Sequence, residues 1–170
     1  ITFSKGGAPI KRTTSIKGLL EDSASFALRG SNVKCDLTIQ DDLHPCDIDD
    51  GQISQVLNDI IINADQSMPE GGIITVNVLN STVDESDNLP LKDGEYVKII
   101  IQDKGIGITP ENINKIFDPY FSTKTKNGTG LGLYMSKTIV EDHQKGRLEA
   151  FNHEDGALFK ISLPMSVCKL

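Results

Sequence analysis

An α+β two-layer sandwich, with a mixed sheet of about five strands and three main helices on one face, is the fold class this sequence predicts. Three observations carry it. Apolar residues recur at helical spacing in three long segments. About five other segments are apolar in alternation or in short runs. The two kinds do not alternate strictly, since the helices weigh toward the first half and strands cluster late; strict alternation would favour a doubly wound parallel sheet.

The elements follow in order. Ile1 to Pro9, with the run SKGGAP, reads as a linker before a domain spanning residues 10–166, and residues 167–170 read as a tail. Lys11 to Ser15 suits an edge strand. Ile16 to Leu28 carries Ile16, Leu19, Leu20, Ala24, Ala27 and Leu28 at helical spacing and stops before Arg29-Gly30. Val33, Cys35, Leu37 and Ile39 alternate as a half-buried strand, and Asp41 to Asp50 is a turn-rich acidic connection. Gln52 to Met68 is the clearest helix. Its stripe is Ile53, Val56, Leu57, Ile60, Ile61 and Ala64, and PEGG from Pro69 ends it. Ile73 to Leu79 is a strand, Asn80 to Gly94 a polar surface loop, and Tyr96 to Gln102 an apolar strand running into Asp103. Thr109-Pro110 can cap and open a short helix. Phe117 to Gly128 lacks periodicity and suits a lid. Leu131 to His143 is helical, and Arg147 to Asn152 with Ala157 to Leu163 forms a closing hairpin.

The 170 residues suit one domain with a sizeable core. Hydrophobic content of 38% and charged content of 24% mark a soluble globular class, and the absence of Trp leaves the core to Ile, Leu and Val. A net charge of −7 argues against general nucleic-acid binding, which needs a basic surface. No apolar run reaches ~18 residues, so no membrane span or direct membrane contact is expected. Cys35, Cys46 and Cys168 have no metal-ligand spacing and read as reduced cytosolic thiols. The chain opens on Ile1 without an initiator Met or signal peptide, so it reads as a fragment of something longer.

Four constellations carry chemistry. Asp59 and Asn63 lie one turn apart on a helix face directed away from the centre of the apolar stripe, with Gln55 and Gln66 beside them. Asn58, ~100° further round, does not share that face. A carboxylate and an amide oxygen in line are hard ligands that Mg²⁺ accepts, water completing its shell; the same pattern also fits a solvated helix face. DKGIGI (Asp103 to Ile108) follows a strand. Asp103 can accept from the exocyclic amino group of adenine and is mismatched to the oxygen of guanine. Gly105 and Gly107 let backbone lie close to a planar ring; a plain D-x-G turn has the same spelling. GTGLGL (Gly128 to Leu133) opens a helix, where free backbone amides form an anion site. Thr129 adds a hydroxyl there, and Lys124 and Lys126 add charge. No Gly-Lys-Ser/Thr follows, so this is not a Walker loop. Between the glycine clusters, FDPYFSTK supplies Phe117, Tyr120 and Phe121 as anchors for a lid from which Lys124 reaches out.

In this order the four resemble the catalytic, ATP-binding domain of sensor histidine kinases, within the gyrase, Hsp90, histidine kinase and MutL ATPase superfamily. QVLNDIIINADQSM (Gln55 to Met68) looks like the family's N box, DKGIG its first glycine box, IFDPYFSTK its F box and GTGLGL its second glycine box. The match runs from about Lys11 to Pro164, and the short lid and FSTK…GTGLGL spelling look like the nitrogen-regulation type. The resemblance implies ATP and Mg²⁺ as ligands. Asn63, with Asp59, would hold the metal, Asp103 the adenine amino group, and Lys124 with Thr129, Gly130, Leu131 and Gly132 the phosphates. Gly105, Gly107, Ile108, Phe121 and Gln66 would complete the nucleotide contacts. It also implies catalytic roles for Asp59, Asn63 and Lys124.

Three positions depart from the family pattern. Asp59 stands where the family usually has Asn and where ATP-hydrolysing relatives have Glu as general base, so Asp59 can orient or activate a water. Gln66 stands where a basic residue is common, which shifts phosphate binding toward the lid lysines. GALFKISLP (Gly156 to Pro164) lacks the usual Gly-Thr before Phe. His44, His143 and His153 do not have the setting of a phosphoacceptor, so the acceptor is expected on a preceding helical hairpin. The implied partners are that dimerisation and acceptor domain and the receiver domain of a response regulator, in a homodimeric intact protein. The implied location of this domain is cytoplasmic.

Overall fold

The computed structural model describes residues 8–122, 131–153 and 155–167. The elements are β1 (Arg12–Thr14), α1 (Ile16–Ala27), β2 (Val33–Ile39), β3 (Cys46–Ile48), α2 (Asp50–Gln66), β4 (Gly72–Val83), β5 (Gly94–Gln102), α3 (Gly132–Lys137), β6 (Arg147–His153) and β7 (Gly156–Pro164). Five strands form one mixed sheet in the order β2-β4-β5-β7-β6. Only β2 and β4 run parallel. The three other neighbouring pairs in this sheet are antiparallel. The helices pack as a second layer, and the α+β sandwich holds.

The core lies between the layers. Ile16 and Leu20 from α1, and Ile53, Val56, Leu57, Ile60, Ile61 and Ala64 from α2, are buried. They meet Ile74, Val76 and Val78 of β4, Val97, Ile99 and Ile101 of β5, and Phe159, Ile161 and Leu163 of β7. The alternation of β4 and β5 directs one residue in two inward, as a sheet covered on one face requires.

Asp49 starts α2 earlier than the apolar stripe implies. Its Oδ1 accepts from Gln52 N at 3.1 Å, and its Oδ2 from Ile10 N at 2.9 Å, which ties the incoming chain to the helix. At the same end of the helix, Gln52 is buried and its Oε1 receives His143 Nδ1 at 3.1 Å and Gln144 Nε2 at 3.2 Å.

Three expectations are corrected. The acidic connection after β2 contains β3, which pairs with β1 in a separate two-stranded sheet. Asp47 secures that sheet, accepting from Ser166 Oγ at 2.6 Å and Thr13 Oγ1 at 2.8 Å; these bonds hold its carboxyl below the usual range. The predicted loop from Asn80 is strand as far as Val83, because Asn80 to Val83 pair with Val97 to Gly94. Their polar side chains hid a ladder that backbone pairing supplies. Thr109-Pro110 opens turns instead of a helix. Thr109 O accepts from Asn112 N and Ile113 N, but the bonds that follow, Lys115 to Asn112 and Asp118 to Lys115, are of the tighter turn type. The last helix holds to His143, α3 passing at Thr138 into a π-helical stretch.

Burial drives the thiol of Cys46 up to about 12, with the neighbouring Asp47 charge adding to it. Among the described residues, no helix is long and apolar enough to cross a membrane.

Because Ile60 is fully buried in the middle of α2, Ile60→Ala should lower stability by about 2–5 kcal/mol in urea unfolding. A shift below that range would show that the core collapses into the space.

Candidate functional site

The segment after β5 meets the end of α2 on one side and the β6–β7 hairpin on the other. Asp103, the residue after β5, is 4% exposed. Its Oδ1 accepts from Gly105 N at 2.9 Å and Ala157 N at 3.2 Å. Its backbone N donates to Ala157 O at 3.0 Å. Two neutral amides thus hold a buried carboxylate, and Oδ2 has no hydrogen-bond partner among the described residues. A donor on a ligand fits that oxygen.

The glycines of DKGIGI have distinct jobs. A Cβ on Gly105 would stand 2.6 Å from both Cβ and the carbonyl O of Ser67, the cap of α2. Gly105 therefore allows the loop to touch the end of the helix that carries Asp59 and Asn63. Gly107 has φ +74°, a left-handed conformation that glycine adopts without penalty. Ile108 packs partly against the core, whereas Ile106 is 92% exposed.

Asp59 and Asn63 are half-buried on α2 and Gln66 is exposed at its end. Ser136, fully buried on α3, donates to Asp59 Oδ2 at 3.4 Å. A Cβ on Gly132, the first residue of α3, would stand 3.7 Å from the Asp59 carboxylate. The proposed metal face of α2 is therefore next to the end of the second glycine cluster. Leu131 O accepts from Met135 N at 2.9 Å, which begins α3. Lys124, Lys126, Thr129 and Gly130 lie outside the described residues. Among the described residues, no group of three His, Cys, Asp or Glu side chains converges as a metal site.

Of the three lid aromatics, two are anchors. Phe117 meets Phe159 edge-on at 6.4 Å, and Phe121 packs partly against the core. Tyr120 is instead 78% exposed, with φ +65° in the turn from Asp118 to Phe121. Its outward direction corrects the expectation that all three pin the segment: adjacent aromatics in a tight turn cannot all face the core.

Sequence reasoning missed Ser67, Ser136, Lys137, Asn152 and Gly156. Lys137 Nζ lies 4.5 Å over the Phe117 ring and donates to Glu141 Oε2 and Leu148 O, each at 3.1 Å. The i,i+4 pairing of Lys137 with Glu141 was its only local signal. Gly156 opens β7, the strand carrying GALFKISLP. A Cβ there would stand 2.5 Å from Asp103 Oδ1, so the hairpin reaches Asp103 only through glycine. The serines and Asn152 had no local signal, because their partners are distant in sequence.

Residues 48–167 match the family model described as histidine kinase-, DNA gyrase B-, and HSP90-like ATPase. Sporulation kinase E of Bacillus subtilis (strain 168) is 34% identical over 135 residues, covering 79% of this chain and 17% of that protein. Sensor histidine kinase ZraS of Escherichia coli (strain K12) is 34% identical over 162 residues, covering 93% of this chain and 32% of ZraS. The chain thus spans less than a third of the length of either relative. The catalytic domain of histidine kinase ThkA has a TM-score of 0.75 at 25% identity, over 92% of this chain and 96% of that one.

Gly105→Ala should reduce stability by about 1–3 kcal/mol in urea unfolding, because the Ser67 backbone cannot rotate out of the way. An unchanged midpoint would mean that the loop separates from α2 without cost.

Proposed function

The chain belongs to the histidine kinase-, DNA gyrase B- and HSP90-like ATPase family, and on that premise we propose that it is the catalytic ATP-binding domain of a two-component sensor histidine kinase. It binds Mg²⁺-ATP. In the intact protein it delivers the γ-phosphoryl to a histidine on an adjacent dimerisation domain, for relay to an aspartate on a response-regulator receiver domain. The intact protein is a homodimer with this domain in the cytoplasm, and the FSTK…GTGLGL spelling supports the nitrogen-regulation type.

One observation carries the reading: Gly132 lies so close to the Asp59 carboxylate that a Cβ on it would stand 3.7 Å away. It brings together the helix face suited to a metal and the helix start suited to phosphates. Asp103 stands beyond the Ser67–Gly105 contact, so base and phosphates have separate attachment points in one site.

The residues fit the ligands. Asp103 Oδ2 can accept the adenine amino group, while Gly105, Gly107 and Ile108 line the base. Phe121, Gln66, Lys124 and the backbone from Thr129 to Gly132 complete the nucleotide contacts. Asn63 and Asp59 would hold Mg²⁺, which commonly binds one or two side-chain oxygens plus phosphates and water, so it needs no cluster of three acidic groups. Bound there, the metal would neutralise phosphate charge. Transfer of this kind is mainly positioning and charge stabilisation. Asn63 and Lys124 act as those positioning and neutralising groups.

A stand-alone ATPase is the second reading, and Asp59 favours it. Its carboxylate, held by Ser136 Oγ, has the chemistry to orient a water. Asp59→Asn should lower basal ATP hydrolysis by roughly 10²–10⁴-fold if Asp59 is a general base. Equal rates for variant and parent would remove that role.

The chain alone should bind ATP without acquiring label from γ-labelled ATP, and should label an added acceptor-hairpin fragment. Label retained on the purified chain would contradict the assignment. Turnover without transfer would point to the ATPase, and binding alone to a transfer-inactive nucleotide-sensing module.

A further inference from the structure

Asn152 lies near the end of β6, far in sequence from DKGIGI, yet it holds that segment by two bonds. Its Oδ1 accepts from Ile108 N at 2.7 Å. Its Nδ2 donates to the Ile108 carbonyl. One side-chain amide thus satisfies both backbone groups of one residue, as a neighbouring strand would.

The surroundings direct this clip toward the base-binding end of the site. Asn152 pairs in register with Ala157, whose N–H donates to Asp103 Oδ1. The hairpin therefore grips both sides of DKGIGI, Asp103 at its entry and Ile108 at its exit. Gly107 lies directly before the clipped residue. A Cβ on it would stand 3.3 Å from Asn152 Oδ1, so its left-handed turn fits beneath the amide. Between the two grips, Lys104 and Ile106 are exposed and contribute little burial.

We infer that Asn152 is a positioning residue for the nucleotide base, acting through the Ile108 backbone to hold the Gly105–Ile108 wall beside Asp103 before ligand arrives. The inference rests on the nucleotide-binding reading above. Asn152 does not need to touch the base. Without the clip, the segment must be ordered on binding, and affinity falls by the fraction of molecules in the competent form.

The test uses this chain, Mg²⁺-ADP, calorimetry, thermal unfolding and amide hydrogen exchange. Asn152→Ala should weaken Mg²⁺-ADP binding by roughly tenfold, the worth of one or two lost hydrogen bonds. Exchange should rise in peptides spanning 104–109 and stay at parent values in the rest of the sheet, with Tm near that of the parent. Asn152→Asp keeps the acceptor for Ile108 N but sets a carboxylate oxygen against the Ile108 carbonyl, so its affinity should fall between the two. Parent-like affinity in Asn152→Ala would overturn the inference, as would increased exchange throughout the sheet with a lowered Tm. If Asn152→Ala does not fold, Asn152→Asp decides: weaker binding supports the role and parent-like binding rejects it. Tight ADP binding by the parent, lost in Asp103→Ala, keeps the nucleotide reading even where Asn152 proves silent. A parent that binds no ADP would overturn both.

Discussion

Burial of one stripe on α2 is the constraint on which the site depends. Ile53, Val56, Leu57, Ile60 and Ile61 are each no more than 1% exposed. Burying a side chain of this size is worth about 1.5–3 kcal/mol, whereas a polar pair on a helix surface is worth about 0.2–0.5 kcal/mol. The apolar stripe therefore decides how the helix is rotated, and Asp59 and Asn63 follow. Asp59 meets Gly132, the first residue of α3, because the opposite face cannot leave the core.

The same helix also places the first glycine cluster. Ser67 ends α2 and touches Gly105, so the loop after β5 rests on the helix that carries the metal-type residues. From the other side, Gly156, Ala157 and Asn152 of the closing hairpin reach Asp103 and Ile108. A strand end, a helix end and a hairpin thus meet where backbone groups need partners, and the buried carboxylate of Asp103 answers two of them. Under the proposed function, contacts that close the fold would also order the loop offered to the nucleotide.

The apolar periodicity of α1, α2 and β5 was legible because each buries one face along its whole length, and the period of burial is written in the residues. DKGIGI and the Asp59–Asn63 face were legible for the related reason that their chemistry is local. The strand character of Asn80 to Val83 was not, since polar residues become strand there by pairing with β5. β3 was hidden likewise, three residues in an acidic connection that need β1 as partner. Tyr120 was misplaced because side-chain direction in a turn depends on one backbone angle, not on residue type.

The residues alone were enough for the fold class, the helix that faces the core and the family resemblance carried by four ordered motifs. These depend on interactions whose signatures are periodic or contiguous in the chain. Tertiary structure alone decided that Gly105 is needed for Ser67, Gly132 lies against Asp59, Ser136 bonds that carboxylate, and Asn152 closes on Ile108. Each of these joins segments distant in sequence, and a hydrogen bond or a missing Cβ leaves no pattern until folding brings its partner within a few ångströms.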